Sequence, residues 1–269
     1  MNLDVILLGF VQGFTEFLPV SSSGHLALAK IFLGVSLPPL NYDLVLHVST
    51  TLATIIFFFS DIWTFFVQWC RGFTSPEARK SQGWSVGWAV VIGTVITGAI
   101  GMTLKNFAEE ASLNSMLVGI GLTITGVLLL ASKYIREGYG KVSLMDGVYV
   151  GIAQGIAVMP GVSRSGMTIL AGLSVGLSKE AAFRFSFLLS IPAILGAAFV
   201  QALEIGGWET FVSTLPAGWM IGAVSAFLSG LLSLFILKKL VINSKWWFFG
   251  IYCFILGVSV VTATLTGAW

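Results

Sequence analysis

Six stretches of this chain, at about 42–60, 84–102, 114–132, 180–203, 216–238 and 246–266, are apolar for close to the ~20 residues that cross a hydrocarbon core of ~30 Å. Charged residues make up only 10% of the 269 positions, against about a quarter in an ordinary soluble domain. The two facts together exclude a soluble globule and predict an all-α polytopic membrane protein. The first residues, MNLDVILLGF, have no basic leader and no small-residue cleavage site, so they do not read as a removable signal peptide. The net charge of +2 and the lack of a basic block among aromatics argue against nucleic acid as a partner. Cys70 and Cys253 are the two cysteines, and neither stands in a metal-binding spacing, so both read as packing residues.

Two further apolar regions are interrupted in the middle. Residues 3–35 contain LPVSSSG and residues 147–173 contain MPGVSRSG. Each break leaves about 12 helical residues on either side, roughly half a crossing. Proline removes a backbone donor, and serine and glycine favour turns. Both regions are therefore expected to be re-entrant helical hairpins. Irregular backbone at membrane depth needs protein or water around it, which implies a cavity at the breaks.

Basic residues sort by side under this layout. Arg71, Arg79, Lys80, Lys133, Arg136, Lys141, Lys179, Lys238, Lys239 and Lys245 fall on one side, and Lys105 and Lys30 on the other. The richer side is expected to be cytoplasmic, with both termini outside. Trp63, Trp69, Trp84, Trp208, Trp219, Trp246 and Trp247 fall near span ends, as interfacial aromatics do.

The two breaks are copies. Shifting Gln12–Ala29 by 142 positions aligns it without a gap to Gln154–Ala171, with eight identities in 18 positions. The matches include Gln12 with Gln154, Ser21 with Ser163, Ser23 with Ser165, and Gly24 with Gly166. The chain thus divides into repeat 1, about 1–135, and repeat 2, about 143–269, each one hairpin and three spans. Three is odd, so the repeats are expected to have inverted topology, with the hairpin tips meeting at mid-membrane, as in sites built from discontinuous helices. Their chemistry is unequal: Glu16, Ser22 and His25 are replaced in the second copy by Val158, Arg164 and Met167.

One composite site is expected. A charge at membrane depth is costly and is by default functional; Arg164 suits a phosphate or carboxylate, and its bland alternative is an ion pair with Glu16. Ser21, Ser23 and Gly24, with Ser163, Ser165 and Gly166, sit where helices begin and present N–H groups to an anion, or simply cap. His25 is an acid–base candidate, and Glu16 is expected to orient it, to act as base towards water or Ser22, or to hold a cation. Gln12 and Gln154 read as polar helix contacts, with Gln12 a secondary ligand candidate. His47 is ambiguous, and Arg184 reads as equally a snorkelling or a site residue.

QGFTEFLPVSSSGH with PGVSRSG and FRFSFLLSIPAILGA resembles the undecaprenyl-diphosphate phosphatase family, of the bacitracin-resistance type, over essentially the whole chain. The resemblance implies hydrolysis of the terminal phosphate of a C55 lipid diphosphate, which regenerates the monophosphate carrier for peptidoglycan and gives bacitracin resistance. It implies functional roles for Glu16, Ser22, His25 and Arg164, with Ser21 and Ser23 as hydroxyl positions. It implies location in the bacterial inner membrane with the site open to the outer face, the lipid and the bilayer as partners, and a homodimer as an allowed assembly. The family is associated with a divalent cation, Mg or Ca. Familiar members carry glutamate where this chain has Gln12, so Glu16 is left as the acidic metal candidate. The competing expectation is an inverted-repeat transporter or flippase for lipid phosphate carriers. A purely structural scaffold leaves Arg164 and the paired serine turns unexplained.

Overall fold

The computed structural model describes residues 3–33, 40–136, 138, 140–204 and 208–267, without the side chains of 30–33, 40 and 208. Among them the regular structure is helical: α1 (Leu3–Phe17), α2 (Ser22–Leu33), α3 (Leu40–Phe57), α4 (Phe59–Gly72), α5 (Gln82–Ser112), α6 (Ser115–Ala131), α7 (Leu144–Ile156), α8 (Arg164–Ser174), α9 (Lys179–Glu204), α10 (Trp208–Ser213), α11 (Trp219–Ile242) and α12 (Phe248–Thr266). Several helix starts are capped by side chains. The Ser81 hydroxyl accepts from Trp84 N, Asn114 from Met116 N and Leu117 N, and Asp146 from Ser143 N.

Helices α5, α6, α9, α11 and α12 are each long and apolar enough to cross a membrane, and α3 with α4 makes a sixth crossing if taken together. The chain is a multi-pass membrane protein. Five spans lie where the apolar runs placed them. The first, expected at 42–60, does not run straight. It breaks at Phe58, and α4 continues to Gly72 at 75° to α3. No proline or glycine marks the bend. Instead, Phe58 is buried against Phe183 and Phe187, and the Thr50, Thr51 and Thr54 hydroxyls donate to carbonyls one turn back, a habit that loosens and bends helices. The short α10 was not expected either.

Both interrupted regions break at the expected places, α1 from α2 at residues 18–21 and α7 from α8 at 157–163. At 1.5 Å per residue, α1 spans about 22 Å and α7 about 20 Å, short of a crossing. Residues 34 and 35 of the first hairpin, and the side chains of Lys30 and Trp208, lie outside the described residues.

The 142-residue offset reappears in packing. Val5, Leu8, Gly9, Gln12 and Gly13 are buried on α1, and Gly147, Val150, Gly151, Gln154 and Gly155, at those positions plus 142, are buried on α7. Helix α1 packs on α11 and α7 on α5. In each pair two glycines face: a Cβ at Gly9 would strike the backbone of Gly222, and one at Gly151 the backbone of Gly93. Such small-residue contacts let membrane helices approach closely. Interhelical hydroxyl bonds accompany both, Ser233 Oγ to Gly13 O at 3.0 Å and Thr97 Oγ1 to Gly151 O at 3.0 Å, worth about 0.6–1.7 kcal/mol each.

Contacts between loop ends tie distant elements together. Lys105 pairs with Glu204 at 2.7 Å and Asn41 donates to Thr214 at 2.6 Å. Arg184 lies 3.4 Å from Asp61, Gln82 donates to Val142 O at 3.1 Å, and the Lys133 ammonium sits 4.9 Å from the Trp247 ring. Arg184, which also pairs with Glu180 at 2.9 Å, serves this network. A separate cavity of about 380 Å³, lined by Arg184, Lys141 and Glu180, contains none of the hairpin-tip residues.

Candidate active site

The two hairpin tips abut. A Cβ at Gly24 would lie 3.2 Å from Gly161 Cα, and one at Gly166 would lie 3.3 Å from Pro19 Cβ. Pro19 and Gly161 are themselves 142 positions apart, so one contact is the other exchanged between halves. Each tip has the same internal bonding. Ser21 Oγ accepts from Gly24 N at 3.3 Å and meets Ser23 Oγ at 3.3 Å. Ser163 Oγ accepts from Gly166 N at 3.1 Å and meets Ser165 Oγ at 3.3 Å. These serines cap helices in the way the plainer reading expected. The tips differ where chemistry differs. Ser21 has φ 69°, in the left-handed region, while Ser163 has φ −77°. A non-glycine residue there is disfavoured by about 1 kcal/mol or more. Ser23 is exposed, whereas Ser165 is buried.

Glu16 is the centre of the site. Its side chain is 2% exposed and makes an ion pair through Oε1 with Arg164 Nη2. Its Oε2 accepts from Ser22 Oγ at 2.7 Å and from Gln12 Nε2 at 2.8 Å. The same Gln12 Nε2 lies 3.1 Å from His47 Nδ1, and His47 Nδ1 is 3.4 Å from Glu16 Oε2. An amide nitrogen only donates, so this Nδ1 accepts and the ring proton resides on Nε2. Arg164 is 20% exposed, and its bond to Glu16 is made by Nη2 alone. The guanidinium has five donors, and Glu16 uses only those of Nη2.

His25 is placed differently from expectation. It makes no hydrogen bond to Glu16; the imidazole against Glu16 is that of His47. His25 Nδ1 donates to Ser21 O at 2.8 Å, since a carbonyl can only accept, and Nε2 accepts from Tyr252 Oη at 2.7 Å. The two rings stack, with centroids 5.6 Å apart. The sequence left His47 ambiguous and did not single out Tyr252, and the structure brings both against the hairpin-tip residues. His47 lies in an apolar helix with no motif around it, and its signal was that it is one of two histidines in a chain poor in charge. Gln154 does what the repeat suggests, donating to Thr97 Oγ1 at 3.2 Å. Cys253 is a buried packing residue as expected, 3.6 Å from Pro19 O, and Cys70 is exposed.

The expected divalent cation does not fit the protein groups alone. Hard cations take six or more oxygen ligands. Here one carboxylate is present, and both of its oxygens are engaged by Arg164, Ser22 and Gln12. Gln12 Oε1 is buried without a partner and offers a single neutral oxygen. Among the described residues no three His, Cys, Asp or Glu side chains group as a metal site.

Comparison with known proteins gives this geometry a family. The model of the family described as Bacitracin resistance protein BacA matches residues 5–259. The chain belongs to the BacA family. BacA relatives align from end to end. A protein of Desulfatibacillum aliphaticivorans named undecaprenyl-diphosphatase is 40% identical over 97% of this chain and 98% of its own. One of Syntrophotalea carbinolica with the same name is 40% identical over 95% and 96%. Undecaprenyl-diphosphatase 1 of Shouchella clausii is 33% identical over 96% and 95%. The BacA match runs through both hairpins, so the site lies wholly inside the shared region.

Proposed function

We propose that the chain is a membrane-embedded undecaprenyl-diphosphate phosphatase, cleaving the terminal phosphate of the lipid diphosphate to leave the lipid monophosphate. The names of its end-to-end relatives support the substrate. The observation that carries the chemistry is the single carboxylate shared by a serine and an arginine from opposite hairpins: Ser22 Oγ and Arg164 Nη2 both bind Glu16.

Phosphoryl transfer needs positioning and charge stabilisation above all. Arg164, through the donors Glu16 does not use, holds the terminal phosphoryl oxygens. N–H groups at the start of α2 add to the field there. Ser22, whose hydroxyl proton already points at a carboxylate, is the nucleophile. Attack on phosphorus would form a phosphoserine and release the lipid monophosphate, and water would then free phosphate. His25, with Nδ1 held by Ser21 O and Nε2 by Tyr252, fixes the turn that presents Ser22. A divalent cation, where required, arrives with the diphosphate, whose oxygens supply ligands the protein lacks; no step runs through a protein-held ion. The repeats face opposite leaflets of the inner membrane, with termini and site on the outer side, and the lipid tail enters laterally.

The carrier alternative expects both tips to handle substrate in turn. The absence of Glu16 and His25 equivalents at the second tip speaks for hydrolysis instead. Purified protein in detergent has no membrane to transport across. Release of inorganic phosphate from C55 lipid diphosphate under that condition supports the hydrolase; lipid binding without phosphate release refutes it.

A further inference from the structure

The internal repeat provides a control for the residues of the first hairpin and of α3, whose counterparts at plus 142 fall in the second hairpin and in α9. His47 lies on α3, and its position plus 142 is Leu189 on α9. Leu189 is fully buried core. Gln154 Nε2 reaches the Leu189 backbone carbonyl at 3.5 Å, where Gln12 Nε2 reaches the His47 ring at 3.1 Å. The architecture therefore accepts a plain apolar side chain at this point, and one half carries an imidazole there. That imidazole is not sealed in: its side chain is 34% exposed, while its Nδ1 stands 3.4 Å from the Glu16 oxygen that accepts from Ser22. The three groups make an ordered line, Ser22 Oγ, Glu16 Oε2, His47 Nδ1.

We propose that His47 is a positioning and proton-accepting residue for this phosphatase, acting on Ser22 through Glu16; the proposal rests on the hydrolase reading above. Both Glu16 oxygens are already engaged, by Arg164, Ser22 and Gln12, so a second acceptor is needed to hold the serine proton. His47 lets the proton leave without opening the Glu16–Arg164 pair. In the first step the Ser22 Oγ–P bond forms and the bond from phosphorus to the bridging oxygen breaks. The electron pair departs on the lipid monophosphate, and the serine proton passes by way of Glu16 Oε2 to His47 Nδ1, which gives up the hydrogen bond it accepts from Gln12 Nε2 as it takes the proton. In the second step water attacks the phosphoserine and the Oγ–P bond breaks. The His47 proton returns to Ser22 Oγ, one water proton stays on the released phosphate and the other goes to solvent. The charged groups acting on His47 are Glu16 from α1, Arg164 from α8 and, one turn earlier on its own helix, Asp43. Helices α4, α9 and α11, which also pack on α3, contribute no group to that set.

The test compares wild type, His47→Leu, His47→Asn, Glu16→Gln and the Glu16→Gln/His47→Leu double variant. Phosphate release from C55 lipid diphosphate is measured in detergent across pH, with thermal unfolding recorded for each protein. His47→Leu copies what the second half already tolerates and should melt near wild type. Its kcat should fall by about 100-fold, the scale of a positioned acid–base group, with KM changed less than about threefold. The loss of rate toward acid pH that an imidazole acceptor imposes should vanish. In the Glu16→Gln background the same change should cost less than about twofold, because the relay is already cut. His47→Asn keeps a polar group but no titration, and should lose rate like His47→Leu. If both His47 variants keep kcat within about twofold and the wild-type pH profile, the inference is overturned while the hydrolase reading stands. If the wild type releases no phosphate, both fall together.

Discussion

Arg164 opens α8 and Glu16 lies in the last turn of α1, 148 residues earlier, and the two form an ion pair across the junction of the hairpins. Neither hairpin contains both charges, so the pair exists only when the tips meet. Breaking a buried pair from one side leaves an uncompensated charge, at a cost of about 3–5 kcal/mol. Arg164→Ala is expected to lose phosphatase activity by at least about 100-fold and to melt well below wild type. Glu16→Gln/Arg164→Ala should recover stability without recovering activity. Phosphate release and thermal unfolding of the two variants check both parts; a double variant no more stable than Arg164→Ala would contradict the account.

Ser22 bonds the free side of that carboxylate. Ser22→Ala removes about one ordinary hydrogen bond, ~1 kcal/mol of stability. A nucleophile's loss is far larger in rate, and a fall of about 1,000-fold or more is expected. Acid quench of wild type during turnover, followed by peptide mass spectrometry, should find phosphate on Ser22. Turnover within about tenfold of wild type in Ser22→Ala would reduce the serine to a phosphate contact.

Tyr252 touches the expected acid–base histidine from α12. Tyr252→Phe keeps the stacked ring and deletes the one hydrogen bond to His25 Nε2. A loss in kcat of about 5- to 20-fold is expected, corresponding to ~1–2 kcal/mol, with less than about 1 kcal/mol in stability. A variant kinetically identical to wild type would show that the tyrosine does not position His25.

Gln12→Glu places a second carboxylate one turn before Glu16, on the buried face that holds the orphan Gln12 Oε1. Two carboxylates at i and i+4 supply what a hard cation lacks here. Wild type is expected to need cation only to the extent that the lipid diphosphate needs it. Gln12→Glu should acquire a tighter, saturable dependence on Mg²⁺ or Ca²⁺ in chelator titrations of activity. Superimposable chelator curves would refute this.

The legible parts of this fold were those with a local cause. Pro19 with Ser21–Gly24, and Pro160 with Gly161 and Ser163–Gly166, break helices by their own backbone chemistry, so both breaks were visible in one strand of text. Five spans followed from length and hydropathy. The bend at Phe58 followed from neither. It depends on Phe183 and Phe187, more than a hundred residues away, and on threonine hydroxyls that sequence marks only as polar. In the site, Glu16, Ser22 and Arg164 stood out because repeat comparison isolates them. His47 was hidden because its importance arises from α3 crossing α1, a tertiary event. The assignment of Glu16 to orient His25 failed for the same reason: one turn of helix carries the His25 ring toward α12.

The inequality of the two tips means that duplication has produced one site and not two. Val158, Met167 and Leu189 occupy the places of the acid and both imidazoles, while the second tip supplies the guanidinium that pairs with Glu16. Neither half keeps a full set of these groups, so each is chemically incomplete without its sister.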